Sequence, residues 1–344
     1  MCTSSRLSAW PSLILAAALA STPAGAQGSG WRFVAPDGAR AWFAVMAGAH
    51  ASGPGPLPYY RPRYAAPLPD SIGRTLERDA SYEVLHFLPL YLPPGDARLV
   101  AATLRAAASG RVPARGQPTA FASAALADVL PRPDQRAVLA ALALVVERAA
   151  AALPPSPSLV AMQRRWDEAF APRLAPYLEA QGLRSGVVLL SEALGPEGRI
   201  FTGRADDPAD NLAAVAYLPP AADGDASLFA LVRELCFPLV TRLASRGADD
   251  RSNREQQAWR ASFGAVRCGA YLTARALPEL AEAYRQQWLS FARRSPTTDP
   301  LAFQEAFPID PPLDHAIRTE LARAVPPQRS GRGALHPALL SRQH

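Results

Sequence analysis

The sequence predicts an α+β fold, mainly helical, with a small antiparallel or mixed sheet packed against a helix over Leu228–Ser245. Three observations predict it. Long stretches carry apolar residues every three and four positions among good helix formers. Between residues 185 and 218, short β-branched or aromatic runs are separated by Gly, Pro and Asp. The chain has 344 residues, 49% of them hydrophobic, enough to bury a sizeable core.

Taken in order, "MCTSSRLSAWPSLILAAALASTPAGAQ" has one positive charge, Arg6, then an apolar run too short to span a bilayer. It ends in Ala24-Gly25-Ala26, the small-residue pattern of an export signal cut after Ala26. Cys2 follows no lipobox. Next, "WRFVAPDGARAWFAVMAG" reads as two short strands around a Pro-Asp-Gly turn. "HASGPGPLPYYRPRYAAPLPD" is a loop or extended arm. "SYEVLHFLPLYLPPG" is compact and apolar, helix or strand. "RPDQRAVLAALALVVERAAAAL" has helical periodicity. "LVAMQRRWDEAFAPRLAPYLEAQGL" is a second helix, kinked at Pro172 or Pro176.

"SGVVLLSEAL", "GRIFTGRA" and "NLAAVAYLP" are three strands, read as meander pieces. The helix after them begins at Asp225 or Ser227, either of which can cap it. "REQQAWRASFGAVRCGAYLTARA" is a further long helix, and Pro278 opens another. These elements suggest one domain over 27–307, after a signal at 1–26 and before an extended or disordered tail at 308–344.

Composition narrows the function classes. The 36 basic residues are all Arg and the formal net charge is +6, but the arginines are scattered singly or in pairs, such as Arg164-Arg165 and Arg293-Arg294. Without a basic patch or motif, nucleic acid is not an expected partner. No segment after the signal reaches the length of a membrane span. The five histidines, His50, His86, His315, His336 and His344, include no pair spaced i, i+4. His86 alone lies in an apolar run, where a satisfied core histidine is the plainer role than a ligand beside Glu83. Ser191 sits in no G-x-S-x-G elbow. Neither a dinucleotide fingerprint nor a Walker A loop is present. Asp206, Asp207 and Asp210 lack calcium-loop spacing, and Asp249-Asp250 reads as a turn. Trp166, Trp259 and Trp288 fall at helical core positions.

The stretch "SLFALVRELCFPLV" has the frame of a zinc-binding helix without its ligands. In H-E-x-x-H, two His one turn apart hold zinc and the Glu handles its water. Here the frame is Arg233-Glu234-Leu235-Cys236-Phe237. The surrounding order is a helix ending "PYLEAQGL", strands "GVVLLSEALG", "RIFTGR" and "LAAVAYLP", the helix itself, then "FGAVRCGAYLTARA". Over about 169–291 this order resembles the core of secreted bacterial gluzincin-type metallopeptidase-like proteins. Their motif region reads like V-H-E-F-x-H-P-x-V, with a ligand Glu on a later helix.

The resemblance implies that Arg233, Phe237 and Phe263 occupy the former ligand positions and Glu234 the relict catalytic one. A guanidinium has no free lone pair and a phenyl ring carries no donor, so neither binds zinc. Glu255 is the nearest acid to the third position, two turns away. Without a metal-bound water, Glu234 has nothing to deprotonate; a salt bridge to Arg267, or less favourably to the adjacent Arg233, is its plainer role. If α-helices pack as in that family, Cys236 and Cys268 fall within bridging range; two buried free thiols are the alternative. The expectation is therefore an exported, non-catalytic metallopeptidase relative in the periplasm or outside the cell, with no zinc. An active hydrolase with a rearranged zinc site from Glu234, Glu255 and His86 is the alternative reading. An exported helical scaffold unrelated to zincins is a third.

Overall fold

A computed structural model describes residues 30–50, 57–111, 113–114, 116–203, 211–219, 225–246 and 254–325. The expected export signal, the acid pairs Asp206-Asp207 and Asp249-Asp250, Asp210, His336 and His344 lie outside the described residues, as does the side chain of Glu255. The fold is mainly helical α+β with a small mixed sheet. The described residues fall into two compact units, one of 30–163 with 183–231 and the other of 164–182 with 232–325.

The first unit holds the sheet. Strand β1 (Trp31–Val34) pairs parallel with β2 (Gly186–Ser191), from Trp31 opposite Gly186 to Val34 opposite Leu189. Strand β4 (Leu212–Ala216) is parallel to β2 on its other side. Strand β3 (Arg199–Phe201) closes the edge antiparallel to β4, giving the order β1-β2-β4-β3. The sheet is thus mixed, and no meander: a parallel neighbour requires a long crossover, which the helices between β1 and β2 supply.

The segment expected as a second strand after β1 is instead helix α1 (Asp37–Ala49). Nearly every side chain on it is buried, so its apolar run has no polar face and shows no helical period in the sequence. Helix α2 (Asp70–Arg78) follows, and then the ambiguous segment Ala80–Tyr91 forms a run of 3-10 helix. Pro89 inside it lacks the N–H that an α-helix interior needs. Helix α3 (Ala97–Ser109) starts at Asp96, whose carboxylate accepts from the N–H groups of Arg98 (3.0 Å) and Leu99 (3.2 Å). It stops at Gly110, whose φ of 67° suits a residue without Cβ. Helices α4 (Ala120–Val129) and α5 (Pro133–Ala151) complete the layer, with α1, α3 and α5 in mutual contact.

Arg40 of α1 has no exposed side-chain surface, yet all its donors are used. Its Nε and Nη2 grip the Glu192 carboxylate at 3.1 and 2.9 Å, just beyond β2. Nη1 reaches Asp37 Oδ1 and Ser156 Oγ, each at 3.1 Å, and Nη2 also reaches the Pro154 carbonyl at 3.0 Å. One planar fork thereby ties α1 to the end of β2 and to the linker after α5.

The second unit is helical. Helix α6 (Val160–Arg165), whose first four residues belong to the first unit, leads into a π-helical turn, Trp166–Phe170, and then α7 (Ala171–Ala180). The irregular turn precedes Pro172, which cannot supply an N–H to the preceding turn. Helix α8 (Ala226–Arg246) belongs to the first unit up to Leu231 and to the second from Val232. The Ser227 hydroxyl accepts from the Leu218 N–H at 2.8 Å. Helices α9 (Arg254–Ala276), α10 (Ala281–Phe291) and α11 (Pro300–Ala306) follow; the turn opened by Pro278 is a short 3-10 segment ahead of α10. Residues Pro311–Ala324, expected within an extended tail, form helix α12. Asp310 caps it, and Leu313, Ile317 and Leu321 recur at four-residue spacing on its buried face. Among the described residues no helix is long and apolar enough to cross a membrane.

Candidate functional site

The positions that the resemblance assigns to metal ligands lie on α8 and α9 within the second unit. Arg233 and Phe237 are one turn apart on α8, so they share a face. The Arg233 Cζ lies 5.2 Å from the Phe237 ring centre, a cation–π contact. Arg233 Nη1 donates to Glu234 Oε1, and Nη2 donates to Ser262 Oγ of α9 at 2.8 Å. Arg233 is wholly buried and Glu234 is 1% exposed. A buried carboxylate without a countercharge costs several kcal/mol or more, and here a guanidinium lies beside it.

The expected partner Arg267 is engaged elsewhere. Its Nη2 donates to Asp314 Oδ1 of α12 at 2.8 Å, and its guanidinium also meets the Tyr271 hydroxyl. The pairing of Glu234 with Arg233 corrects the expectation that neighbours on a helix face apart. The Arg side chain is long enough to fold back along its own helix once buried, and Ser262 holds its outer nitrogen.

Phe263, the third position singled out by the resemblance, does not join them. Its ring meets Trp259 at 5.6 Å and Phe307 at 5.9 Å, both edge to face. Ser262, its neighbour in sequence, is the α9 residue that reaches the arginine. One phenyl ring, one guanidinium and one hydroxyl therefore meet beside Glu234.

Cys236 and Cys268 are joined by a disulfide between α8 and α9, with Cα atoms 6.0 Å apart, a separation ordinary for such a bridge. Glycines of α9 allow close approach, Gly264 toward α8 and Gly269 toward α10. A Cβ at Gly264 would lie 2.5 Å from Val240 Cγ1 of α8, and one at Gly269 would lie 2.0 Å from the Tyr284 hydroxyl of α10. Tyr284 is fully buried and donates to the Val266 carbonyl at 3.2 Å. Burial pushes its hydroxyl well above the usual phenol range; the charge of Arg233 opposes this and that of Glu234 adds to it. Pro238 inside α8 removes the N–H that would bond the Glu234 carbonyl. Tyr177 of α7 donates to the next carbonyl, that of Leu235, at 3.0 Å.

Ser262 and Tyr284 are members of this cluster that the motif comparison does not single out. The signal that could have found them is the pair of glycines in "SFGAVRCGAY". Each costs about 1 kcal/mol relative to Ala in a helix interior, so their presence marks places where other side chains come close.

His86 lies in the first unit. It is buried, and its Nδ1 is 2.7 Å from the Tyr60 hydroxyl. The His50 ring lies 4.9 Å away, and Arg199 sits over Tyr59 and Tyr60 at 5.1 and 5.2 Å. Burial, with the charges of Arg199 and His50, holds the His86 imidazolium well below its ordinary range, so the ring is neutral. Burial raises the Tyr60 hydroxyl to about 12, against the opposing pull of Arg199. His86 thus has a hydrogen-bond partner in a core aromatic cluster, whereas Glu83 is exposed. Among the described residues, no three His, Cys, Asp or Glu side chains group to hold a metal.

Chemically, the α8–α9 cluster can hold a buried charge pair in place. It presents an acid with a permanent countercharge, a cation with an aromatic cover and a disulfide across the same helix pair. No protein-family model, no curated protein and no solved structure matches this chain.

Proposed function

We propose that this chain is an exported, non-catalytic relative of the zinc metallopeptidases that serves as a binding or structural module. The observation that carries the reading is the buried Arg233–Glu234 pair. The acid in the place of a catalytic Glu is spent on a guanidinium in the place of a ligand His. An Arg cannot release that role by titration, since it stays protonated at any working pH. The order α7, β2, β3, β4, α8, α9 supports the relationship, because the resemblance rests on that order. The disulfide supports export, since such bonds persist in oxidising compartments. We read the site as needing no zinc, and nucleic acid as no partner.

Metal analysis of the purified chain, with peptidase assays of the wild type and of Glu234→Gln, tests this. The reading expects zinc well below one equivalent and no hydrolysis that depends on Glu234. Stoichiometric zinc together with an activity lost in Glu234→Gln would overturn it in favour of a rearranged hydrolase site.

A further inference from the structure

A second feature, independent of the α8–α9 cluster, is a cleft of about 440 Å³ contained within the first unit. That volume is in the range of small-molecule sites. The cleft opens at the end of β2, where Ser191 and Glu192 lie, and α1, α5 and the 3-10 turn Pro62–Tyr64 line it. Parallel strands commonly present ligand sites at their carboxyl ends, and β2 has a parallel neighbour on each side. The walls are largely apolar, with Ala44, Val145 and Leu153 among them.

The charges that line it are not balanced. Glu192 is already held in the fork of Arg40, and Asp37 adds a second carboxylate to that arginine. Arg40 therefore has no donor left for a guest. Arg63 and Arg148 also line the cleft, and among the described residues neither has a carboxylate within ion-pair distance. Other surface arginines of the same unit do find one, as Arg105 does in Glu147 and Arg132 in Asp79. The Arg63 guanidinium lies over the Tyr64 ring, 4.7 Å from its centre, which steadies the side chain and leaves its N–H edge available. The result is an apolar recess with two uncommitted cations at its rim.

We propose that this cleft binds a small organic carboxylate with an apolar body. The body would lie against Ala44, Val145 and Leu153, and the carboxylate would accept from Arg63 and Arg148. Guanidinium groups suit a carboxylate because their N–H fork matches its two oxygens. Glu192, clamped by Arg40, would not repel the guest as a free carboxylate would.

Titration calorimetry on the full chain tests the proposal with four probes: octanoate, octanol, octylamine and inorganic phosphate. Octanoate should bind saturably, at least tenfold more tightly than octanol, and octylamine and phosphate should give no comparable binding. Arg63→Gln and Arg148→Gln should each weaken octanoate about tenfold, and the double variant should abolish binding. The thermal midpoint should stay that of the wild type, because both side chains are exposed. Glu234→Gln should leave octanoate binding unchanged, which separates this site from the reading of the α8–α9 cluster. Failure of octanoate to bind at millimolar concentration would overturn the proposal. So would octanol binding as tightly as octanoate, phosphate binding as tightly as octanoate, or undiminished binding in the folded double variant.

Discussion

Each compact unit contains a fully buried arginine, and the two solve the same problem differently. Arg40 gathers partners from far along the chain: Glu192, Ser156 and the Pro154 carbonyl, with only Asp37 nearby in sequence. Arg233 takes its carboxylate from the next residue and adds one hydroxyl from α9 and one aromatic face. A fork spread over several elements fixes how those elements meet. A pair formed within one turn of one helix does little to fix them, and there the disulfide and the close-packed glycines take that part. Burial alone does not define the role of a charge; the sequence distance of its partners does.

The largest effect is expected at Arg40. Arg40→Met leaves Glu192 at a half-closed site without its cation and frees the linker after α5. We predict a loss of about 3–5 kcal/mol of stability, as for breaking other buried pairs from one side, measured by urea unfolding. A loss below about 1 kcal/mol, the scale of an exposed pair, would show that the fork is dispensable.

The second break is the disulfide. Cys236 and Cys268 are 32 residues apart, and closing such a loop is worth roughly 3–4 kcal/mol by chain entropy. Cys236→Ser with Cys268→Ser should lower stability by about that amount and slightly less if residual denatured-state structure intervenes. Equal denaturation midpoints with and without reductant would mean that the helices are held without it.

A smaller effect is expected at a half-buried charge. Asp79 caps the 3-10 run Ala80–Tyr91; its carboxylate accepts from the Ser81 N–H and hydroxyl and meets Arg132 and Gln135. Those hydrogen bonds, led by Ser81, depress its pKa to about 2. A depressed carboxylate stabilises the fold above its unfolded pKa near 4, and the gain is lost as pH falls toward about 2. The acid limb of the pH–stability profile should therefore flatten in Asp79→Asn between about pH 4 and 2. An unchanged acid limb would show that Asp79 is not coupled to folding.

Much of this architecture was legible in the sequence, and the failures have physical causes. Strands β2, β3 and β4 were readable because Gly, Pro and Asp bound each short apolar run. α5 was readable from its period. α1 was mistaken for a strand because burial on all sides erased its polar face. The parallel pairing with β1 could not be read, since strand direction depends on contacts made across more than a hundred residues. α12 was missed because a short amphipathic helix beside a Pro- and Arg-rich end has little apolar mass; its Asp310 cap and the four-residue recurrence of Leu313, Ile317 and Leu321 were the available signals. At the site, the frame around Glu234 and the two cysteines were visible. Its partner was not, because a helical wheel places neighbours apart and says nothing of a long side chain that folds back when buried. The divergence of Phe263 toward Trp259 and Phe307 needed the tertiary packing of α9 to be seen.

The most direct test of the central claim is a double-mutant cycle at Arg233 and Glu234, read by equilibrium unfolding. If the two side chains neutralise each other in the core, Arg233→Met and Glu234→Leu should each cost about 3–5 kcal/mol, because each removes the opposite charge from a buried partner. The double variant should return to within about 1 kcal/mol of the wild type, giving a large coupling energy. Single variants that cost little and add independently would contradict the account, since Glu234 would then be free to do something other than hold Arg233.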